Sequence, residues 1–172
     1  YTDAVYTCDV NSDGSVANCS TSGQLQIGTV SGASGAGLAG MGGTVYANYI
    51  YLIGGTAPGQ TSGLATVRYA KIDNSNNVVA VSGSSWVESS NQMAAGSQLA
   101  AGFGYNGYIY VMGGYNSSGV LNSIEFAKIN VSDGSIEAFE TSAVTINARW
   151  GLGAPVSSSY VYVVGGCQSG SA

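Results

Sequence analysis

Residues that could carry out catalysis are few in this chain, and none of them form a recognisable set. The chain has no histidine, which excludes Ser-His-Asp and Cys-His nucleophiles and removes the commonest ligand of transition metals. Glu137 and Glu140 are three positions apart in a predicted strand, so their side chains point to opposite faces. We therefore expect no enzyme, no metal site and no cofactor.

One short segment resembles the start of a calcium loop. Asp9, Asn11 and Asp13 precede Gly14, and alternate oxygen ligands before a tight turn can surround a hard cation. The twelfth position of such a loop is normally glutamate, and here it is Ser20. A hairpin turn explains the same residues, and it is the interpretation that we adopt.

Two of the three cysteines flank this turn. If Asp13-Gly14 is a two-residue hairpin turn, Val10 lies opposite Ala17, and Cys8 lies opposite Cys19. Directly opposed cysteines are close enough for a disulfide, which indicates an oxidising compartment. Two small, buried and reduced cysteines are the alternative, and a three-residue turn would shift the register by one.

Other side chains are candidates for covalent attachment. Cys167 is left as a free thiol or as a link to another molecule. Three asparagines, at positions 18, 116 and 130, begin Asn-X-Ser sequons, which accept glycans in secreted proteins. We name Asn18, Asn116 and Asn130 as candidate glycosylation sites, although so Ser-rich a chain contains such triplets by chance.

The low charge of the chain limits its partners. Only 8% of the residues are charged, the net charge is −5, and there are four Lys and Arg. Nucleic acids and anionic membrane surfaces both require clustered basic residues, so we expect neither as a partner. The longest apolar runs are about seven residues, far short of the roughly 20 that cross a bilayer, and no membrane insertion is expected. Because the chain begins at Tyr1, we expect a processed protein or a piece of a longer one.

A repeated motif dominates the sequence. An apolar strand with two tyrosines runs into a glycine pair at 49–55, 108–114 and 160–166. Alternating apolar and polar residues follow at 66–72 and at 123–129, as in half-buried strands. Helical periodicity is absent. The sequence predicts an all-β repeat protein whose period suits a four-stranded propeller blade.

These motifs resemble the kelch repeat. The segments VRYAKI and IEFAKI, the latter followed by a DGS turn, are similar to the tandem kelch-like repeats of secreted and surface-attached bacterial proteins. The resemblance covers essentially the whole chain and implies a β-propeller of radially arranged, four-stranded antiparallel blades. The arginine that kelch repeats often place before the inner strand is present only as Arg149. The closing aromatic is Trp86 in one repeat and Phe139 in another, and Cys19 replaces it in the third.

The repeats divide the chain into about three blades, one of them split. Residues 26–85 and 86–142 are predicted to be whole blades, residues 1–25 the outer half of a blade, and residues 143–172 the inner half. Propellers typically have four to eight blades. We therefore expect either further repeats of a longer chain or other copies of this one, joined in a ring or head to tail in a fibre.

Two functions are compatible with these features. The first is a structural or adhesive protein of the cell surface or extracellular space, such as a fibre subunit. The second is a lectin-like propeller that binds glycans through Tyr115, Asn116, Arg149 and Trp150. Trp150 and Tyr115 could equally fill space between blades.

Overall fold

The computed structural model describes residues 1–83 and 85–169, and this part of the chain is all-β, as predicted. The strands form several separate antiparallel sheets, none of which closes on itself. No helix in the described residues is long and apolar enough to cross a membrane. The strands are β1 (Thr7–Val10), β2 (Val16–Ser20), β3 (Gly42–Tyr46), β4 (Tyr49–Ile53), β5 (Val67–Ile72), β6 (Val78–Val79), β7 (Val87–Glu88), β8 (Ala101–Tyr105), β9 (Tyr108–Met112), β10 (Tyr115–Asn116), β11 (Gly119–Val120), β12 (Ile124–Lys128), β13 (Glu140–Thr141), β14 (Trp150–Gly153), β15 (Val156–Ser157), β16 (Tyr160–Val161) and β17 (Val164–Cys167).

Two sheets contain the predicted repeats and have the same meander. In the first sheet the order is β3-β4-β5-β6, and β7 also pairs with β5, so this sheet has five strands instead of the expected four. In the second sheet the order is β13-β12-β9-β8. Each strand that precedes a glycine pair lies second in its sheet, between a hairpin partner and the following strand.

The main core lies between these two sheets. Side chains alternate across β4, so that Tyr49, Tyr51 and Ile53 are buried while the residues between them are half-buried, as the two-residue period of a strand requires. A Cβ at Gly102 would lie 2.5 Å from Cδ1 of Ile53, so this glycine lets the two sheets approach closely. The buried cluster contains Tyr49, Tyr51, Ile53, Val67, Tyr69, Met93, Ala100, Ile109, Val111, Ala127, Ile129 and Ile136.

The N-terminal hairpin, formed by β1 and β2, contains the predicted disulfide between Cys8 and Cys19, whose Cα atoms are 4.1 Å apart. Its predicted register is wrong near the turn, because Val10 pairs with Val16 and not with Ala17. The turn is one residue longer than expected, since the backbone N–H of Asn11 donates to the carbonyl of Ser15.

An irregularity further along the hairpin restores the expected alignment. The register shifts between Thr7 and Asp9, and Thr7 pairs with Ser20. On the opposite strand Asn18 adopts a left-handed φ of 52°, a conformation that asparagine tolerates better than most residues. The two cysteines are opposed despite the slipped turn.

The C-terminal strands, β14 to β17, are more exposed than their counterparts in the two repeat sheets. β14 pairs with β17, and β15 pairs with β16. Tyr160 is 69% exposed and Tyr162 is 53% exposed, whereas Tyr49 and Tyr51, at the same repeat positions, are 6% and 0% exposed. Within the described residues, no strand pairing joins the N-terminal hairpin to the C-terminal strands.

The core between the repeat sheets yields the first prediction. Ile109 is fully buried, and we expect Ile109→Ala to lower the free energy of unfolding by about 2–5 kcal/mol through lost transfer energy and the remaining cavity. Val131 is 58% exposed, so Val131→Ala is the control and is expected to change stability by less than about 0.5 kcal/mol. Urea unfolding followed by circular dichroism measures both. Equal effects would show that the two sheets do not share a tight core.

Candidate functional site: an aromatic groove and two unpaired half-sheets

A turn of the second sheet lies on the tyrosines of the first sheet. Tyr51 donates its hydroxyl hydrogen to the carbonyl oxygen of Gly134 at 2.9 Å, and Tyr49 donates to that of Ser132 at 3.4 Å. The turn approaches so closely that a Cβ at Gly134 would lie 2.4 Å from the Tyr49 ring. The first sheet therefore contacts the second through its tyrosine side chains, which pack against a glycine turn of the second sheet.

At this contact the Tyr51 phenol is neutral and the Asp133 carboxylate is charged, and both states favour the observed hydrogen bonds. Burial raises the pKa of Tyr51, and the neighbouring Tyr49, Tyr69 and Asp133 raise it further, so the phenol stays neutral and able to donate. The hydroxyl and backbone N–H of Ser135 lower the pKa of Asp133. The exposed carboxylate thus stays charged and holds the turn in shape.

The corresponding face of the second sheet forms an open groove of about 580 Å³. Tyr49 pairs with Lys71 in the first sheet, and Tyr108 pairs with Lys128 in the second. Tyr110 lies opposite Phe126, as Tyr51 does opposite Tyr69. The groove is lined on one side by Phe103, Tyr105, Tyr108, Tyr110 and Phe126, and on the other by Val156, Tyr160 and Val161.

The groove has the chemistry of a packing surface. The rings of Phe103 and Tyr110 are stacked with centroids 4.9 Å apart, and the charged residue in the lining is Glu140, which is exposed. Burial, together with Tyr108 and Tyr105, raises the pKa of Tyr110. Within residues 1–83 and 85–169, no group of three His, Cys, Asp or Glu could hold a metal ion. The groove can accept apolar surface and backbone carbonyl groups.

One pattern of hydrogen bonds joins successive parts of the chain three times. It places the N-terminal hairpin segment beside the first sheet, the first sheet beside the second, and the second sheet beside the C-terminal strands. In each case a backbone N–H of the later segment donates to a carbonyl of the earlier one, namely Ile27 N to Asp3 O, Met93 N to Ala65 O and Ile146 N to Asn122 O. A second backbone contact accompanies each bond: the Thr2–Leu38 bridge, the Leu64–Ser97 bridge, and the bond from Arg149 N to Leu121 O.

This repetition relates the N-terminal hairpin and the C-terminal strands to parts of the two repeat sheets. By these hydrogen bonds the N-terminal hairpin corresponds to β5 and β6, and the C-terminal strands correspond to β3 and β4. Within the described residues, neither set pairs with further strands to form a larger sheet. The exposed apolar side chains follow from this, since Tyr6 is 67% exposed and Val164 is 58% exposed.

The candidate sugar-binding residues are partly engaged in the fold. Tyr115 is half-buried, and its backbone pairs with Gln98. The Asn116 side chain donates to the carbonyl of Gly96 at 2.9 Å and accepts from the backbone of Ser118. These two hydrogen bonds use one of the two N–H donors and one of the two acceptor lone pairs of the Asn116 amide.

Arg149 and Trp150 lie in and beside β14, at the start of the C-terminal strands. The guanidinium of Arg149 donates to the carbonyl oxygens of Asn147 and Gly165, at 3.0 and 2.8 Å. The backbone of Arg149 accepts a hydrogen bond from Gly114, which brings it close to the glycine pair that precedes Tyr115. Within the described residues, the side chains of Tyr115 and Asn116 make no hydrogen bond to those of Arg149 or Trp150.

The other candidate residues lie at separate places on the surface. Cys167 is exposed and unbridged in the described part of the chain, on β17 opposite Trp150. Asn18 donates to Asp9 Oδ2, whereas Asn130 is exposed and uses its carbonyl oxygen to accept from Ser132.

Comparisons with known proteins do not assign the chain to a family. No protein-family model matches it, and no curated protein matches its sequence. The kelch-like resemblance therefore rests on the repeat motifs alone.

Sequence reasoning missed the groove and the contact that it mirrors. The signal was present in the DGS turn, which occurs at 13–15 and again at 133–135. One copy lies on a tyrosine face, and the other has no protein atom within 4 Å of the position where a Cβ of its glycine would lie.

The turn carboxylates predict a pH dependence. Hydrogen bonds to Ser15 lower the pKa of Asp13, those to Asn77 and Ser75 lower that of Asp73, and Asp133 behaves like Asp13. Because the folded-state pKa lies below the unfolded one, these groups stabilise the fold above about pH 4, and this stabilisation is lost as the pH falls through the folded-state values.

We therefore expect the urea midpoint to fall between about pH 5 and pH 2.5, and to fall less when all three aspartates are replaced by asparagine. Asp3→Asn is the control, since the Asp3 carboxylate makes no hydrogen bond in the described residues, and it is expected to follow the unmodified chain. An unchanged acid dependence in the triple variant would contradict the role of these turns.

Proposed function

We propose that this chain is a unit of an extracellular structural or adhesive assembly, built as a kelch-like β-propeller in which the missing blades come from other copies or further repeats. The observation that carries the proposal is the pair of unpaired half-sheets at opposite ends of one repeated arrangement. A chain whose two ends are complementary halves of one blade is suited to joining head to tail.

The repetition of a single packing relation supports the propeller. The same inter-sheet hydrogen bonds occur three times, as expected for blades arranged around an axis. Two complete sheets and two halves amount to about three blades, which is fewer than closed propellers typically have. Other copies would complete the ring or extend the array.

Unpaired edges also favour assembly on energetic grounds. A strand edge presents backbone N–H and C=O groups that can pair with another strand, and addition of a strand to such an edge is a common mode of protein recognition. Proteins usually protect such edges with charges and prolines, but β17 has the sequence VGGC and contains neither.

The environment and surface support an extracellular role. The Cys8–Cys19 disulfide persists in oxidising compartments. With only 8% charged residues, the surface depends on Ser, Thr, Asn and Tyr for its hydration. Such a surface suits lateral contact with other neutral polymers, including glycans.

A lectin-like module is the second candidate. One observation favours it, because the indole Nε1 of Trp150 is buried and has no hydrogen-bond partner, which is costly unless a ligand satisfies it. Against it, Arg149 and Asn116 already bind backbone carbonyls. The structural role accounts for the half-sheets, the open edge of β17 and the disulfide, which the lectin-like role leaves unexplained.

The assembly prediction is tested on unreduced protein by native mass spectrometry and electron microscopy. We expect particles whose mass is a multiple of the 17.2 kDa chain, either discrete two-copy rings or extended filaments. Protein that remains a single 17.2 kDa species at all accessible concentrations would contradict assembly from separate copies of this chain.

A glycan array separates the two candidate functions. The structural role predicts no saturable binding, or weak binding that Trp150→Ala leaves unchanged. Saturable binding that Trp150→Ala abolishes, with a Trp86→Phe variant as the control for loss of an indole elsewhere, would establish the lectin-like function instead.

A further inference from the structure

We infer that the aromatic groove and the adjacent C-terminal strand edge bind the N-terminal hairpin of a second copy of this chain, in one defined register. This inference rests on the proposed assembly and specifies its joint. It commits to residues 2–16 of the incoming copy as the occupant. The argument uses the contacts that the chain already makes between its own two sheets.

The turn of the hairpin shares its Asp-Gly-Ser hydrogen bonds with the turn that packs on the tyrosines of the first sheet. In both DGS turns the serine donates its backbone N–H and its hydroxyl to the aspartate Oδ1, at 2.9 and 2.7 Å. The glycines have similar left-handed φ angles, 84° at Gly14 and 78° at Gly134. Gly134 packs on Tyr49, whereas Gly14 faces open space. The hairpin therefore presents a second glycine turn with the same aspartate–serine hydrogen bonds and with open space at its glycine. It is one residue shorter, because Asn11 N donates to Ser15 O whereas Asn130 N donates to Ser135 O.

The groove supplies the matching tyrosines. Tyr108 and Tyr110 occupy the repeat positions of Tyr49 and Tyr51. The hydroxyl of Tyr110 is expected to donate to the carbonyl of Gly14 in the incoming copy, as Tyr51 donates to Gly134. The stacked rings in the groove then cover the turn.

The strand register follows from the hydrogen bonds of the turn. Asn11 N donates to Ser15 O and Gly14 N to Asn11 O, and the turn of the first sheet at 73–77 has the same two bonds, Asp73 N to Asn77 O and Asn76 N to Asp73 O. Counting back from the matched turns places Tyr6 at the position of Arg68. Since Arg68 pairs with Leu52, Tyr6 of the incoming copy pairs with Val163.

The glycine pairs give an independent check on this register. Gly54 N donates to Thr66 O at 2.9 Å, and Gly113 N donates to Ser123 O at 3.0 Å. The third pair begins at Gly165, whose N–H has no such acceptor in the described residues. In the inferred register Ala4 of the incoming copy takes the place of Thr66, so its carbonyl supplies the acceptor.

The exposed tyrosines of the C-terminal strands fit the same joint. Tyr160 and Tyr162 are 69% and 53% exposed, and they occupy the positions of the buried tyrosines that receive a turn. In the docked pair they face the 73–77 turn of the incoming copy, which follows the hairpin in that copy. The N-terminal hairpin already contacts this turn, through Thr7 and Asn76 at 3.5 Å.

Proline substitutions remove one hydrogen bond on each side of the joint. Backbone N–H groups alternate in direction along a strand, so Val163 N–H points to the same side as that of Gly165, toward the incoming strand. Val163→Pro removes this donor from the accepting edge. Tyr6→Pro removes the opposite donor, and Tyr6 lies outside β1. Val163→Ala and Tyr6→Ala keep the N–H groups and are the matched controls.

The experiment is analytical ultracentrifugation of each variant alone and of mixtures. Each proline variant alone is expected to lose assembly and sediment as a single chain, while both alanine controls assemble. An equimolar mixture of the two proline variants is expected to form dimers of twice the chain mass and nothing larger. In these dimers the intact hairpin of the Val163→Pro chain docks on the intact groove of the Tyr6→Pro chain.

The outcomes separate the joint from the assembly itself. If the unmodified chain assembles and both proline variants still do, the inferred joint is wrong while the assembly stands. If the unmodified chain stays monomeric, the assembly fails and the joint with it. Proline variants that are monomeric alone and do not dimerise when mixed, although their circular dichroism is unchanged, would also overturn the joint.

A second pair of variants covers the case in which a proline variant fails to fold. Tyr162→Asp places a charge on a side chain that is exposed in one copy and covered in the joint, so we expect loss of assembly with no change in unfolding midpoint. Val131→Asp is the control. Val131 is 58% exposed although its own sheet already packs against the first sheet, so a charge there is not expected to affect the joint. Normal assembly of Tyr162→Asp would overturn the joint.

Discussion

The contact between a tyrosine face and a glycine turn organises this molecule. A tyrosine is wide and apolar but needs a partner for its hydroxyl when it is buried, and a tight turn offers a carbonyl oxygen at the required distance. Gly134 permits the approach because it has no side chain to collide with the Tyr49 ring. Where a turn is in place the tyrosines are buried, and where none is in place an open groove remains.

The same constraint explains why few charges suffice. Successive sheets are joined through backbone hydrogen bonds and ring packing. The ion pairs seen in the described residues, Arg68 to Glu88 at 2.7 Å and Lys128 to Glu137 at 3.7 Å, each lie within one repeat. Glu125, at the equivalent position in the second sheet, is buried and accepts from the backbone N–H of Ala94 at 2.6 Å. The carboxylate in the second sheet is therefore bound by a backbone N–H, whereas the carboxylate in the first sheet is bound by a basic side chain. The two repeats thus differ in residue type at the position of Arg68 and Glu125.

The sequence predicted the strands well because their signals are local. Glycine pairs after alternating apolar segments identify β4, β9 and the C-terminal strands without knowledge of any distant contact. The hairpin register at Val10 was predicted wrongly, because two-residue and three-residue turns differ by hydrogen bonds that the residue types do not specify. The contact that the groove mirrors was missed for another reason: it joins Tyr51 and Gly134, which are 83 positions apart in sequence, and it is visible only in three dimensions.

The disulfide between Cys8 and Cys19 has a thermodynamic consequence for any surface that receives the hairpin. A covalent link across two strands removes most of the conformations that an isolated hairpin would otherwise sample, and isolated two-stranded hairpins are only marginally stable in water. The oxidised segment is thus rigid before contact and loses little conformational entropy on binding. A reduced chain would have to order the same residues during the encounter, so its association would be weaker although every contact in the complex stayed the same.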